Sequence, residues 1–163
     1  MKIRQVEKKD FEELFSLVLA VYDEVPESLN FKSRPDAQLF NLVFANKLSA
    51  VAADASVDLV AEDKGSIEGN CEIIKTGNDS GILGILVKKT HRRSGIGSAM
   101  LEKACADAAS IGIHKITAEV SPRNQTAARF LEASGWKTKR PGLKGSHCNC
   151  QERLHMFTSS AEI

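Results

Sequence analysis

The stretch "ILGILVKKTHRRSGIGSAM", Ile82 to Met100, decides how the rest of the chain is read. Its first six residues are apolar without alternation, the pattern of a central strand covered on both faces. Gly84 interrupts that run at a position where glycine marks a bulge or a close approach of another backbone. Its last residues open an amphipathic helix, with Ile96, Met100, Ala104, Ala108 and Ile111 at helical spacing up to Gly112. Between strand and helix stand Lys88, Lys89, His91, Arg92 and Arg93, five basic-type side chains in six positions, followed by Gly95-Ile96-Gly97. Glycines let successive backbone N–H groups converge on one point, and a helix N-terminus adds partial positive charge there. The segment is therefore either an anion-binding loop or a solvated basic turn before a helix, and spacing alone does not separate the two.

Two kinds of phosphate loop are excluded. The dinucleotide fingerprint needs a third glycine where Met100 stands. The P-loop needs Gly-Lys-Ser/Thr, which occurs nowhere in the chain.

On either side of this stretch the sequence alternates strand and helix patterns. Lys2 to Val6 reads as a first strand. Asp10-x-x-Glu13 reads as a capping box, opening a helix with Phe11, Leu14, Phe15, Val18 and Tyr22 on its inner face. After Pro26 and Pro35, a second helix is predicted from Asp36 to Leu48, with Leu39, Phe40 and Val43 inward. Two strands follow around an Asp-Lys-Gly turn, with Ile67, Gly69, Cys71 and Ile73 sharing one face. Beyond the central helix, "KITAEV" is a strand and Asn124 to Ser134 a helix stopped by Gly135. Lys137 to Arg140 and Glu152 to Phe157 are predicted as closing strands. The expected architecture is a single mixed α/β domain over residues 1–163, antiparallel strands first and a strand–helix–strand–helix core later.

Composition narrows the function classes. The chain has 163 residues, enough for a core that buries roughly two-thirds of the unfolded surface. Its 22 basic and 21 acidic residues leave a net charge of +1, which argues against binding nucleic acid or other generic polyanions. No apolar run approaches the ~20 residues of a membrane helix. Met1-Lys2-Ile3-Arg4 runs straight into folded pattern without a signal-peptide core, so a cytoplasmic protein is expected. Of the four cysteines, Cys71 and Cys105 fall in periodic segments and read as core residues. Cys148 and Cys150, in "HCNC", lack the second spaced pair of a metal site and read as reduced thiols in a loop.

Val87 followed by Arg92-Arg93-Ser94-Gly95-Ile96-Gly97 resembles the Arg/Gln-x-x-Gly-x-Gly/Ala signature of the GNAT family of N-acetyltransferases. The resemblance covers most of the chain. Ile3-Arg4 with Asp10 is similar to the family's opening strand and helix, and "VAEDKGSIEGNCEI" to its second and third strands. "EVSPRNQTAARFLEASGW" resembles its late motif, an Asn before a helix ending in Gly-aromatic. The resemblance implies the acyl-CoA N-acyltransferase fold, a central mixed sheet flanked by helices with a splayed central strand, and acetyl-CoA as cofactor.

Residue by residue, it implies that backbone amides from Arg92, Arg93, Ser94, Gly95, Ile96, Gly97 and Ser98 bind the pyrophosphate. It implies that Ile85, Leu86 and Val87 pair with the pantetheine arm, Gly84 permitting the splay, and that an N–H near Ile85 or Leu86 polarises the thioester carbonyl. Asn124 matches the family's cofactor-contacting Asn, although a plain helix N-cap would use the same residue.

An ammonium acceptor must lose a proton before it attacks, so a base is needed. Glu119 is the first candidate, five residues before Asn124, where N-terminal acetyltransferases of the family carry a glutamate. It shares a strand face with Thr117 and Ser121. A structural ion pair is its alternative role. Glu72, polar on an apolar strand, is the second. Another family position for the base is Gly81 here, and the position of the family's acid tyrosine is Leu131; the only tyrosine is Tyr22.

The implied acceptor is a primary amine, either a protein α-amine or lysine or a small molecule. Asp23, Glu24 and Glu27, or Arg140 and Lys144, stand in the segments that would line its groove. Direct transfer in a ternary complex is expected, possible homodimers being frequent in the family. A non-catalytic acyl-CoA-binding or sensing module is the alternative that Leu131 and Gly81 leave open.

Overall fold

The computed structural model describes residues 1–26, 29, 31–121, 123–139 and 154–157, the last four and 138–139 as backbone only. Among the described residues, seven strands form one sheet in the order β1-β2-β3-β4-β5-β7-β6. They are β1 (Lys2–Gln5), β2 (Ser56–Asp63), β3 (Ser66–Lys75), β4 (Ser80–Val87), β5 (Lys115–Val120), β6 (Lys137–Lys139) and β7 (Leu154–Phe157). The helices are α1 (Phe11–Glu24), α2 (Ala37–Ala52), α3 (Ile96–Ser110) and α4 (Gln125–Ala133). Neighbouring strands run antiparallel except β4 and β5, which are parallel and joined through α3. The mixed sheet with antiparallel strands first is the architecture expected from the sequence.

Alternation sorts the strands onto two cores. Leu59, Ala61, Cys71, Ile73, Leu83, Ile116, Ala118 and Val120 pack against Met100, Ala104 and Ala108 of α3 and Ala128 and Leu131 of α4. On the opposite face Val60 and Ile67 pack with Leu14, Leu17, Val18 and Val21 of α1 and Phe40 and Phe44 of α2. Rings of Phe11, Phe15, Phe40 and Phe44 meet at centroid distances of 5.0 to 6.1 Å, tying α1 to α2. Each aromatic pair of this kind adds about 1 kcal/mol beyond its buried area.

Three local expectations are corrected. Asp10 does not cap α1 with its side chain. Its carboxylate instead accepts two 2.7 Å bonds from the Arg4 guanidinium and one of 2.8 Å from the Glu7 amide, which leaves it buried. Glu13 reaches away to Ser66 Oγ and the Ile67 amide, at 3.2 and 3.4 Å. Ile67 does not share a face with Gly69, Cys71 and Ile73. A bulge places Ala61 opposite Gly69 but Glu62 opposite Ile67, so the extra residue, Glu68, reverses the alternation. Leu39 is 42% exposed, because the inner stripe of α2 runs through Phe40 and Phe44, about a quarter-turn round the helix. That helix also continues four residues past the predicted end.

Candidate functional site

The sheet splits at its centre. Leu83 opposite Ala118 is the last registered pair of β4 and β5, after which Gly84, Ile85, Leu86 and Val87 have no partner on the β5 side. On their other edge the same residues stay paired to β3, Glu72 opposite Gly84 and Gly69 opposite Val87. Half of β4 thus presents one row of peptide groups to open space. A cleft of about 400 Å³ occupies the split, lined by Gly84, Ile85 and Leu86 on one side and Ala118, Glu119, Val120 and Ser121 on the other.

The floor of this cleft carries charge. Registered pairs put Asp58, Glu72 and Gly84 side by side across β2, β3 and β4. Continuing the β4–β5 register by one residue would place Glu119 next in that row, on the face of α1 and α2. Lys47 of α2 comes down onto it, donating to Asp58 Oδ2 at 2.7 Å and to Glu72 Oε2. Asn70 Nδ2 donates to Asp58 Oδ1 at 2.6 Å and to the Leu59 carbonyl at 2.9 Å. Asp58 is fully buried and Lys47 nearly so. Burial alone would push the Lys47 ammonium down, but the two carboxylates outweigh it and hold the group above its ordinary value. For Glu72, burial and the charge on Asp58 win against Lys47, so its carboxyl is raised.

Both sequence-derived base candidates therefore reach the same cleft. Glu119 is exposed on β5, and Glu72 is tied to a lysine. Leu131 is buried and lines the cleft, so no acid stands at that position. Tyr22 is half-buried on α1 and is not among the lining residues. Gly81 faces the α3 core, where a Cβ would lie 2.9 Å from Ile73 and 3.0 Å from Ile113. A side chain there could not have served the cleft.

At the far end of β4, the loop passes through two left-handed residues before α3. Arg93 is left-handed at φ 61°, and so is Gly95 at φ 86°. Successive residues in such turn conformations form concave arrays of N–H groups that attract anions. Asp36 caps α2 and Asn124 caps α4 with side-chain oxygens, at 2.7 and 3.1 Å, whereas the cap of α3 is Gly95, with no side-chain bond. The first amides of α3 are thus left to a ligand or solvent. Gly97 is needed for packing, since a Cβ would stand 3.2 Å from the Phe130 ring of α4.

The basic side chains beside this loop are largely committed elsewhere. Arg92 forms a two-pronged ion pair with Glu24 at 2.7 and 2.8 Å and donates through Nε to the Val87 carbonyl. Lys88 and His91 lie 3.1 and 3.0 Å from Glu68, the bulge residue. Lys89 and Arg93 have no ion-pair partner among the described residues. The clustering of positive charge read from the sequence is mostly internal bracing, and what remains for an anion is chiefly backbone.

A strand freed on one edge thus runs into an uncapped helix N-terminus beside a left-handed turn. The sequence model of the Acetyltransferase (GNAT) family matches residues 11–136. The chain belongs to that family. Solved structures of GNAT-family proteins share its fold. An acetyltransferase of the GNAT family from Streptococcus pneumoniae is 22% identical, with 96% of each chain covered and a TM-score of 0.70. The ribosomal-protein-alanine N-acetyltransferase of Brucella melitensis is 18% identical, covering 96% of this chain and 98% of its own, with a TM-score of 0.77. YncA from Salmonella typhimurium, solved with its cofactor acetyl-CoA, is 16% identical over 99% of this chain and 95% of its own, with a TM-score of 0.77. Comparison with curated proteins returned no match.

Within the GNAT frame, several site residues escape sequence reading. Lys47 and Asn70 line the cleft floor over the buried Asp58, and Glu24 and Glu68 anchor the loop. The signals were present: Asp58 interrupts the apolar β2, and Lys47 falls on the inner stripe of α2, where a charge needs a buried partner. Asp23 and Glu24, expected near an acceptor, are ion-paired to Arg34 and Arg92 and do not line the cleft. Glu27, Arg140, Lys144 and the segment His147-Cys148-Asn149-Cys150 lie outside the described residues. Cys71 and Cys105 sit in or against the α3 core, and burial pushes both thiols upward, which suits inert packing. No helix among the described residues is long and apolar enough to cross a membrane.

Proposed function

We propose that this protein is an acetyl-CoA-dependent N-acetyltransferase that acetylates a primary amine by direct transfer in a ternary complex. The observation that carries this reading is the continuity of the split sheet with the uncapped N-terminus of α3, since one elongated ligand could engage both.

The residues present fit acetyl-CoA. Amides from Arg93 to Ser98 would hold a diphosphate, with the loop kept in shape by the Arg92–Glu24 pair and the Ser94 hydroxyl, which donates to the His91 carbonyl. The free edge of Ile85, Leu86 and Val87 offers strand-like hydrogen bonds to an amide-bearing arm. Asn124 lines the cleft and uses its side-chain oxygen as the α4 cap, which would leave its amide NH2 to donate to the ligand. When bound, acetyl-CoA supplies an activated acyl group whose leaving thiol titrates near ~8.5, a fairly good leaving group without an acid at Leu131.

Glu119 is the base in this reading. It lines the cleft directly across the split from Gly84 and Ile85, where it could accept a proton from an incoming ammonium, through water or directly. Glu72, neutralised in part by Lys47, serves as a second negative group that draws the cation in. The register with β3 directs the Leu86 N–H to Asn70, so the backbone N–H of Ile85 is the one that would face the charge that develops on the acyl oxygen, a contribution of about 3 kcal/mol for one such donor.

The test follows release of free thiol from acetyl-CoA over a panel of amines and peptides, repeated with Glu119→Gln. Turnover that depends on the acceptor and falls about a hundredfold in the variant, with coenzyme A affinity preserved, is expected. Tight coenzyme A binding without acceptor-dependent turnover would instead favour an acyl-CoA-sensing module, and the absence of any uptake in calorimetry would remove the reading altogether.

A further inference from the structure

The extra residue of the β3 bulge is Glu68, whose side chain is only 7% exposed. Bulges re-aim a side chain out of the strand's alternation, often beside a functional site. Here the re-aimed group is a carboxylate, a group rarely buried unless it is paired. Its Oε2 is sealed from solvent, with Lys88 Nζ at 3.1 Å and His91 Nδ1 at 3.0 Å, both close but imperfectly aligned. Burial pushes the carboxyl up, yet Lys88, Ser66 and His91 outweigh it and hold it below the ordinary range. Glu68 is therefore ionised near neutral pH and can only accept.

An acceptor-only neighbour decides the form of His91. Its Nδ1 lies 3.0 Å from Glu68 Oε2 and 3.0 Å from the Thr90 hydroxyl. A lone pair on Nδ1 would be repelled by the carboxylate, whereas a proton there is attracted by both oxygens. Nδ1 therefore carries a proton, whatever the state of Nε2. From this ring the contact passes into the loop. The His91 amide donates to the Lys88 carbonyl and the Lys88 amide to the Glu68 carbonyl, both at 2.9 Å, so bulge and loop are also joined through backbone. The His91 carbonyl accepts from the Ser94 hydroxyl, a bond that spans Arg92 and Arg93. Arg93 is left-handed at φ 61°, a conformation that a residue with a side chain keeps only where its surroundings fix it. Glu24 fixes Arg92 from α1, and Glu68 fixes His91 from β3.

We propose that Glu68 and His91 are positioning residues for the cofactor: the buried carboxylate holds His91 with a proton on Nδ1, and His91 closes the turn that leads into the uncapped N-terminus of α3. The proposal rests on the acetyltransferase reading and deepens it, since it says what sets the loop for the diphosphate of coenzyme A. Neither side chain has to touch the ligand. A loop that is ordered before the ligand arrives does not lose that ordering entropy on binding, so its shape is worth affinity. The bulge is the source of that order on the β3 side.

The experiment combines imidazole nitrogen NMR on the full chain with calorimetry of coenzyme A binding. At about pH 8.5, where an ordinary imidazole is neutral, the His91 signal, identified by its loss in His91→Asn, should report a proton on Nδ1 and a bare Nε2. His91→Leu and Glu68→Gln should each weaken coenzyme A binding about tenfold, and the double variant should be no worse than either, because both remove one contact. His91→Asn places an amide N–H where Nδ1–H stood and should bind within about twofold of wild type. Thermal midpoints establish that each protein is folded at the binding temperature, and if Glu68→Gln is not, the two His91 variants decide the matter. A bare Nδ1, wild-type affinity in His91→Leu, equal weakness in His91→Asn and His91→Leu, or additive losses in the double variant would each overturn the proposal and leave the acetyltransferase reading in place. Failure of wild type to take up coenzyme A would overturn both.

Discussion

Arg92 binds Glu24 through its two terminal guanidinium nitrogens, at 2.7 and 2.8 Å, and so joins the last residue of α1 to the loop before α3. The side chains are each about one-quarter exposed, and the guanidinium holds the Glu24 carboxyl below its usual range, chiefly through its hydrogen bonds. An arginine so engaged acts on an anion by shaping the loop rather than by touching the ligand. Arg92→Ala and Glu24→Gln are each expected to weaken coenzyme A binding about threefold to fivefold, the measure of a partly exposed pair. Because both remove one interaction, the double variant should be no worse than either single one. Calorimetry on the four proteins decides this. Additive losses would mean that Arg92 contacts the ligand directly.

Lys47→Met removes the ammonium that neutralises the cleft floor. Among the described residues, Asp58 would keep only Asn70 as a side-chain partner, and Glu72 would lose the one influence that lowers its pKa, leaving burial and the Asp58 charge to push it further up. A carboxyl whose pKa is raised on folding stabilises below its unfolded value, near ~4.3, and loses that contribution as pH rises through the folded value. The variant should therefore be about 3 kcal/mol less stable than wild type near neutral pH. The gap should narrow on acidification. Urea unfolding at about pH 7.5 and about pH 5 measures both values, and a gap that widens toward acid would contradict the sign.

The fold and the loop were legible in the sequence because both are written in local pattern. An unalternating apolar run, a basic turn with two glycines and a helical stripe from Ile96 to Ala108 fix β4, the loop and α3 without reference to the rest of the chain. The expectation failed where a long-range partner overrode a local one. Asp10 has the spacing of a capping residue, but Arg4 of β1 captures its carboxylate first. Ile67 has the alternation of its neighbours until Glu68 bulges out to meet Lys88 and His91. Lys47 and Asp58 lie 11 positions apart on different elements, and nothing local says that they meet. The basic loop shows the same limit, since its charges looked available only until Glu24 and Glu68 were placed beside them.

Gly97 and Phe130 make a second separable pair. Adding a methyl at 97 brings it to 3.2 and 3.3 Å from two ring carbons, close enough that the ring must give way. Gly95→Ala is a different lesion, because nothing stands within 4 Å and the cost of about 1–2 kcal/mol is purely that of a left-handed backbone with a side chain. Both variants should lower thermal stability and coenzyme A affinity. Only the Gly97→Ala defect should be relieved by Phe130→Leu, which opens the space. Thermal midpoints of the two singles and their combinations with Phe130→Leu distinguish them, and rescue of Gly95→Ala would refute the assignment.

Arg4 and Asp10 provide the acid-sensitive element of the fold. Burial pushes the Asp10 carboxyl up, yet the Arg4 hydrogen bonds and the Glu7 amide outweigh burial and hold it below the ordinary range. A group depressed on folding stabilises above its unfolded value, near ~3.9, and that contribution disappears as pH falls through the folded value. Asp10→Asn should therefore cost about 3 kcal/mol near neutral pH, since it leaves a largely buried guanidinium with only Glu62 opposite. The difference from wild type should close progressively below about pH 4. Replacing both partners, Arg4→Met with Asp10→Leu, removes the charges together and should be less damaging than Asp10→Asn alone. Denaturation midpoints across that pH range test the sign, and a loss that persists unchanged at about pH 3 would show that Asp10 stabilises by packing rather than by charge.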